Sequence, residues 1–134
     1  MKRDFDRIRH LLLECEASPS GHYMLPSDMG TFDKYQLDKM IEAGLITRKQ
    51  SAFGIMVKSK YRTKEGSADV VATEEISLTW KGHDYLDAVR DNDIWEKTKA
   101  TVAETGGNAT IEIVKSLAVG FLRKTISDKT GIDV

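Results

Sequence analysis

The chain has 134 residues, 20 Lys+Arg against 21 Asp+Glu for a formal charge of -1, and 40% hydrophobic against 31% charged residues. That length holds one domain with at most an appendage, and that balance excludes wholesale disorder and argues against a generally polycationic DNA binder. A single cysteine excludes an intramolecular disulfide. The charged start MKRDFDRIRH lacks the apolar run of a secretory signal, so the expected compartment is the cytoplasm.

The first predicted element is a helix over about residues 2–17, where Phe5, Ile8, Leu12 and Cys15 recur at steps of three and four. Arg3, Arg7 and His10 share another face of it. Ser18, Pro19, Ser20 and Gly21 end it, four breakers in a row. His22 to Leu25 reads as a short strand and Pro26 to Gly30 as a turn. Thr31 is the expected N-cap of a helix over 32–43, with Leu37, Met40 and Ile41 as its buried stripe and Gly44 as its left-handed terminator. Leu45 and Ile46 then start a strand.

From Thr47 to Thr79 the texture changes. Phe53 to Tyr61 and Val70 to Leu78 are rich in β-branched and aromatic residues, and KEGSAD (64–69) between them reads as a hairpin tip. Thr79 is the expected cap of a helix over Trp80 to Arg90 that buries Tyr85 or Leu86 and Val89. Asp93 is expected to start a further helix through about Glu104, and Gly106-Gly107 breaks it. A last helix covers Ala109 to Ile126 with Ile111, Val114, Leu117, Ala118, Phe121 and Leu122 as its apolar stripe. The most apolar late run, Ala118 to Leu122, is far too short to span a bilayer, so no membrane partner is expected. The fold class is α+β, with a domain over 1–92 and a helical extension over 93–134.

The most informative stretch is KSKYRTK (58–64). Lys58, Lys60, Arg62 and Lys64 fall on alternate positions, so an extended chain lines all four on one face over roughly 20 Å, at about 6.6 Å intervals. From Gly44 to Lys64 there is no acid, while Arg48, Lys49 and these four cations all occur. Such a ribbon suits a phosphate backbone, with Tyr61 as a stacking candidate and Arg3, Arg7 and Arg9 as an extension of the patch. The same pattern also serves as a solvated strand edge that resists aggregation, with Glu74 and Glu75 as its counter-charges.

Other constellations carry less. His10, His22 and His83 are scattered and Cys15 lies on an apolar stripe, so no metal ligand set is expected. His83 and Asp84 are neighbours on a helix and point apart, and no GxSxG, P-loop or glycine-rich fingerprint occurs. An enzyme is not expected, nor a cofactor. Trp80 and Trp95 read as anchors for the C-terminal helices. The apolar stripe of 109–126 makes it a candidate homodimer seam.

A helix ending in IEAGLI (41–46), then a β-hairpin, then LTWKGHDYL (78–86), resembles the winged-helix proteins. That resemblance implies a hairpin wing and makes the basic ribbon that wing. MKRDFDRIR (1–9), IEAGLI, LTWKGHDYLD (78–87), RDNDIW (90–95) and Gly106-Gly107 together look like domain-of-unknown-function family 2513, a family of uncharacterised bacterial and phage proteins. It implies a phage or prophage setting and no particular activity. One departure from the winged helix stands out: residues 18–30, with Pro19, Gly21, Pro26 and Gly30, leave no room for the helix that normally supports the recognition helix. The expected function is non-enzymatic nucleic-acid binding in an accessory or regulatory role. The contacts fall to Arg48, Lys49, Lys58, Lys60, Tyr61, Arg62, Lys64, Arg3 and Arg7. Its rival is a phage-encoded protein-interaction module acting on a host complex.

Overall fold

A computed structural model describes residues 1–26, 28–50, 74–107 and 109–133. Helix α1 (Phe5–Ala17) starts where the Asp4 carboxylate accepts from the Arg7 backbone N–H at 3.0 Å, and it buries Ile8, Leu11, Leu12 and Cys15. The breaker run ends it: Ser18 turns extended and Gly21 adopts φ 75°. Strand β1 (Tyr23–Met24) follows.

Helix α2 (Thr31–Glu42) begins one residue earlier than expected. Gly30, not Thr31, is the N-cap. Its extended backbone leaves its carbonyl to accept from Lys34 N at 3.1 Å, and no side chain caps the end. Leu37 and Met40 are buried as expected, Ile41 only partly, and Gln36 is wholly buried, which apolar periodicity does not reveal. At the other end Gly44 takes φ 77°. Gly44 N–H donates to Ile41 and Leu45 N–H to Met40, which satisfies two of the last carbonyls.

The chain then enters β2 (Ile46–Gln50), which pairs antiparallel with β3 (Glu74–Leu78), and β3 pairs antiparallel with β1. The sheet order is β1-β3-β2. Ile46 opposes Leu78, Arg48 opposes Ile76, and Gln50 opposes Glu74. Side chains alternate across the sheet, so Ile46, Arg48 and Ile76 share one face while Thr47, Lys49, Glu75 and Ser77 share the other. Ile46 and Ile76 join the core with Leu25, Leu37, Met40 and Leu45. The hairpin strand expected over Phe53 to Tyr61, its tip at 64–69, and the first part of Val70 to Leu78 lie outside the described residues.

Helix α3 (Trp80–Val89) is started by Thr79, whose hydroxyl accepts from Gly82 N at 2.9 Å and donates to the Gly44 carbonyl at 2.5 Å. Tyr85, Leu86 and Val89 are all buried. Trp80 is 85% exposed, so its expected anchoring role is corrected. It occupies the first position of the helix, beside the capping hydroxyl and away from the inward face.

Helix α4 (Asn92–Glu104) is capped by Asp91, not Asp93. Asp91 is the extended residue whose carboxylate reaches Ile94 N at 3.0 Å, while Asp93 sits in the first turn, where its charge favours the helix dipole. Gly106 and Gly107, both at positive φ, end it. Helix α5 (Ile111–Thr130) is capped by Thr110 and runs past the expected Ile126, because Gly131 is the first residue to take a left-handed conformation. It packs on α4, and Val114 and Ala118 are buried there along with Ile94, Trp95 and Thr98.

The fold is thus α+β, with five helices and a three-stranded antiparallel sheet among the described residues. It comprises two compact units, Met1–Gly82 and His83–Val134. Among the described residues no helix is long and apolar enough to cross a membrane.

Candidate nucleic-acid interface

Four of the nine nominated contact residues lie within the described residues, and each has a defined environment. Arg48 points to the helix side of the sheet. Its Nη2 donates to Asp38 Oδ1 at 2.6 Å and its Nη1 to Glu74 Oε2 at 3.2 Å, so one guanidinium ties β2 to both α2 and β3. Lys49, the next residue, points to the opposite face. Its Nζ lies 3.3 Å from Glu75 Oε1, directly across the ladder. Glu74 and Glu75 therefore serve Arg48 and Lys49 within the paired strands β2 and β3.

Arg7 faces α2. Its Nε and Nη2 donate to the two carboxylate oxygens of Asp33 at 2.8 and 3.0 Å, the paired geometry that makes arginine–carboxylate contacts strong. These hydrogen bonds hold the Asp33 carboxyl below its ordinary value and raise the Arg7 guanidinium further. Arg3 lies at the start of the chain with its guanidinium carbon 5.6 Å from the centre of the Phe5 ring. Lys58, Lys60, Tyr61, Arg62 and Lys64 lie outside the described residues.

Arg3 and Arg7 thus both lie near the start of α1 but engage different groups, and Arg48 and Lys49 point to opposite faces of the sheet. Arg7, Arg48 and Lys49 each hold a carboxylate, so a phosphate would have to displace that partner to reach them. The sequence shows the charges of these residues but not their partners, which lie 26 residues away for Arg7 and for Arg48 with Glu74.

Sequence reasoning missed a second group. Phe32, Tyr35 and Lys39 recur at three and four along α2, on the flank next to the one that meets α1. Phe32 is 43% exposed, and Lys39 Nζ stands 5.2 Å from the Tyr35 ring centre. That spacing was the available signal, hidden because the two aromatic residues read equally well as a core stripe. The N-terminal segment is fixed beside them by the buried Gln36 amide, which accepts from Asp4 N at 2.8 Å and donates to the Lys2 carbonyl at 3.0 Å.

The remaining titratable clusters read as structural. Glu14 accepts from the Tyr23 hydroxyl at 3.1 Å and meets His10 Nε2 at 2.8 Å, which joins α1 to β1. Burial first, and then Glu14, raise the Tyr23 hydroxyl. Cys15 is buried with its Sγ 3.7 Å from the Ile76 carbonyl, and burial raises its thiol as well. Among the described residues no group of three or more His, Cys, Asp or Glu is placed to hold a metal ion.

A protein of Haemophilus influenzae, described as an uncharacterized protein, is 27% identical over 137 residues, covering 95% of this chain and 100% of that protein. No solved structure matches. The family model described as hypothetical protein (DUF2513) matches residues 2–108, nearly all of the first compact unit and half of the second, with the motifs up to Gly106-Gly107, and the chain belongs to that family.

Proposed function

We propose that this chain is a winged-helix-like, non-enzymatic accessory or regulatory protein that holds nucleic acid by its phosphate backbone through the basic segment 48–64. One observation carries the proposal. Gln50 stands directly opposite Glu74 on adjacent antiparallel strands, so the two residues that flank the segment bearing Lys58, Lys60, Arg62 and Lys64 are neighbours in the sheet. The sheet order β1-β3-β2 and the sharp exit from α2 through Gly44 into β2 support the winged-helix likeness. Among the described residues of 18–30 the one regular element is β1, so base reading by a supported helix in the major groove forms no part of the proposal.

Arg48 and Lys49 are engaged by Asp38, Glu74 and Glu75, so the proposal assigns the contact to the four cations of 58–64. Backbone contacts of this kind give affinity and little sequence preference. Fluorescent duplex and single-stranded DNA titrated at several salt concentrations test it. Neutralising about four phosphates gives a slope of log K against log salt near -3.6. Changing Lys58, Lys60, Arg62 and Lys64 together to alanine removes that binding. A slope of zero sinks the proposal.

A second reading rests on Trp80. An indole 85% exposed at the start of α3 is the residue type most enriched at protein-binding hot spots. It favours a phage- or prophage-encoded interaction module acting on a host complex. In that case a protein co-purifies with the wild type and is lost on Trp80→Ala, while DNA titrations stay flat. Self-association through 109–126 draws on Ile113 and Ile126, which α5 leaves 50% and 40% exposed. Sedimentation at micromolar concentration tests it, and a strict monomer removes it.

A further inference from the structure

We propose that the second half of α5 is a docking face for an acidic amphipathic helix of another protein. Val119, Leu122 and Ile126 form its apolar row, and Lys115, Arg123 and Lys129 its charged border. The inference is independent of the hairpin reading, since it draws on no residue of 48–64.

The length of α5 creates the face. Helices that pack together across a short connection run antiparallel, and α4 has 13 residues where α5 has 20. The last 7 residues of α5 (20 less 13) therefore have no counterpart on α4, over about 10 Å at 1.5 Å per residue. Burial follows that geometry. Val114 and Ala118 are buried, whereas every residue of α5 beyond Ala118 is half-buried or exposed. The apolar residues nevertheless continue, and Ile126 is 40% exposed.

The row has a regular spacing. Val119, Leu122 and Ile126 stand at steps of three and four, so they share one flank of the helix, next to the one that meets α4. Lys115 lies four residues before Val119 and Lys129 three after Ile126, which closes the row with a lysine at each end. That 4-3-4-3 pattern is the one a partner helix reads.

Charge decides the occupant. Lys99 on α4 holds Glu96, but no ion pair among the described residues involves Lys115, Arg123 or Lys129. Glu112, the acid nearest the row, lies in the first turn, where its charge favours the helix dipole, and it is engaged within the chain. Asp128 falls on the opposite side of the helix. A second copy would bring three more of these cations to the seam and no unengaged acid. A membrane offers negative charge, but three apolar side chains, two of them half-buried, leave little area to insert. A phosphate backbone leaves the apolar row unused. A helix with apolar residues at the same spacing and carboxylates beside them meets both demands.

The test is fluorescence anisotropy of the full chain with two labelled peptides of three heptads, both with Leu at a and d, one with Glu and the other with Lys at e and g. The acidic peptide is expected to bind about tenfold more tightly, the sum of three exposed ion pairs, and salt should narrow the difference. Ile126→Asp is expected to abolish binding of the acidic peptide. Lys115→Glu combined with Lys129→Glu should turn the preference toward the basic peptide, a gain that no folding defect produces. Equal binding of the two peptides, or none of either, overturns the inference. So does loss of the acidic peptide on the hairpin variant rather than on Ile126→Asp, which would place it on 58–64. A wild-type dimer that Ile126→Asp dissociates in sedimentation gives the face to a second copy, and flotation with phosphatidylglycerol vesicles that the same variant abolishes gives it to lipid. Either result overturns the assignment to an acidic helix.

Discussion

In the first unit, Met1–Gly82, charged side chains bridge separate elements. Arg7 joins α1 to α2 through Asp33, and Arg48 joins β2 to α2 and to β3. In the second unit, His83–Val134, Lys99–Glu96 closes within α4 and Arg90–Asp87 ties the last turn of α3 to the residue just past it, each three residues apart. Pairs of the second kind favour helix formation but do not select what the helix packs against. Pairs of the first kind set the register of one element on another. The first unit thus adds directional contacts to its apolar core, while the second relies on its helix caps and the apolar seam of α4 and α5.

The largest expected break in that comparison is Gly82→Ala. A methyl group there would meet the Leu45 carbonyl, which already accepts from Thr79 N at 3.0 Å. The obstacle is backbone on both sides, so no side chain can swing away, and the expected cost is about 3 kcal/mol or more. Gly120→Ala has open space around its new methyl and is expected to stabilise α5 by about 1 kcal/mol. Urea unfolding of both variants measures the contrast. A Gly82→Ala protein as stable as wild type would mean that α3 does not approach β2 this closely.

Two threonine caps sharpen the comparison at the next scale. Thr79 and Thr110 both accept a backbone N–H three residues on. Thr110→Ala is expected to cost about 1 kcal/mol, the usual worth of a cap. Thr79→Ala also leaves the Gly44 carbonyl without its hydroxyl donor, so about 2 kcal/mol is expected, the cap plus one more hydrogen bond. Equal costs would show that the second bond carries no net stability.

Helix existence was legible in the sequence because it depends on periodicity and local breakers. Gly44, Thr79 and the Gly106-Gly107 pair were each identified from neighbours a few residues away, and each takes the role its chemistry suggests. Gln36 was not legible. Its partners are backbone groups of Lys2 and Asp4, 34 and 32 residues earlier, and nothing local marks a glutamine that will meet them. Trp80 was misread because bulk suggests burial, whereas its position in the first turn faces it outward. For the candidate interface, composition exposed the density of cations in 44–64 but gave no way to see that Arg48 and Lys49 would be held on β2 by Asp38, Glu74 and Glu75.

The smallest effect tests whether the bridging pairs act through charge. Asp33 titrates below 3.8 because Arg7 hydrogen-bonds its ionised form. Between that folded-state value and 3.8 the unfolded chain binds more protons at this site, so the contribution of the pair is complete above 3.8 and is lost as pH falls through the folded value. Asp33→Asn at neutral pH is expected to cost about 1 kcal/mol, since the pair has paired geometry but remains partly exposed to solvent. The stability gap between wild type and variant should then narrow on acidification, and Arg7→Gln should show the same narrowing. In a double-mutant cycle the coupling between the two positions should be present at neutral pH and absent well below 3.8. A coupling that survives acidification would assign the contact to shape and neutral hydrogen bonding, and the distinction between the two units would then rest on packing alone.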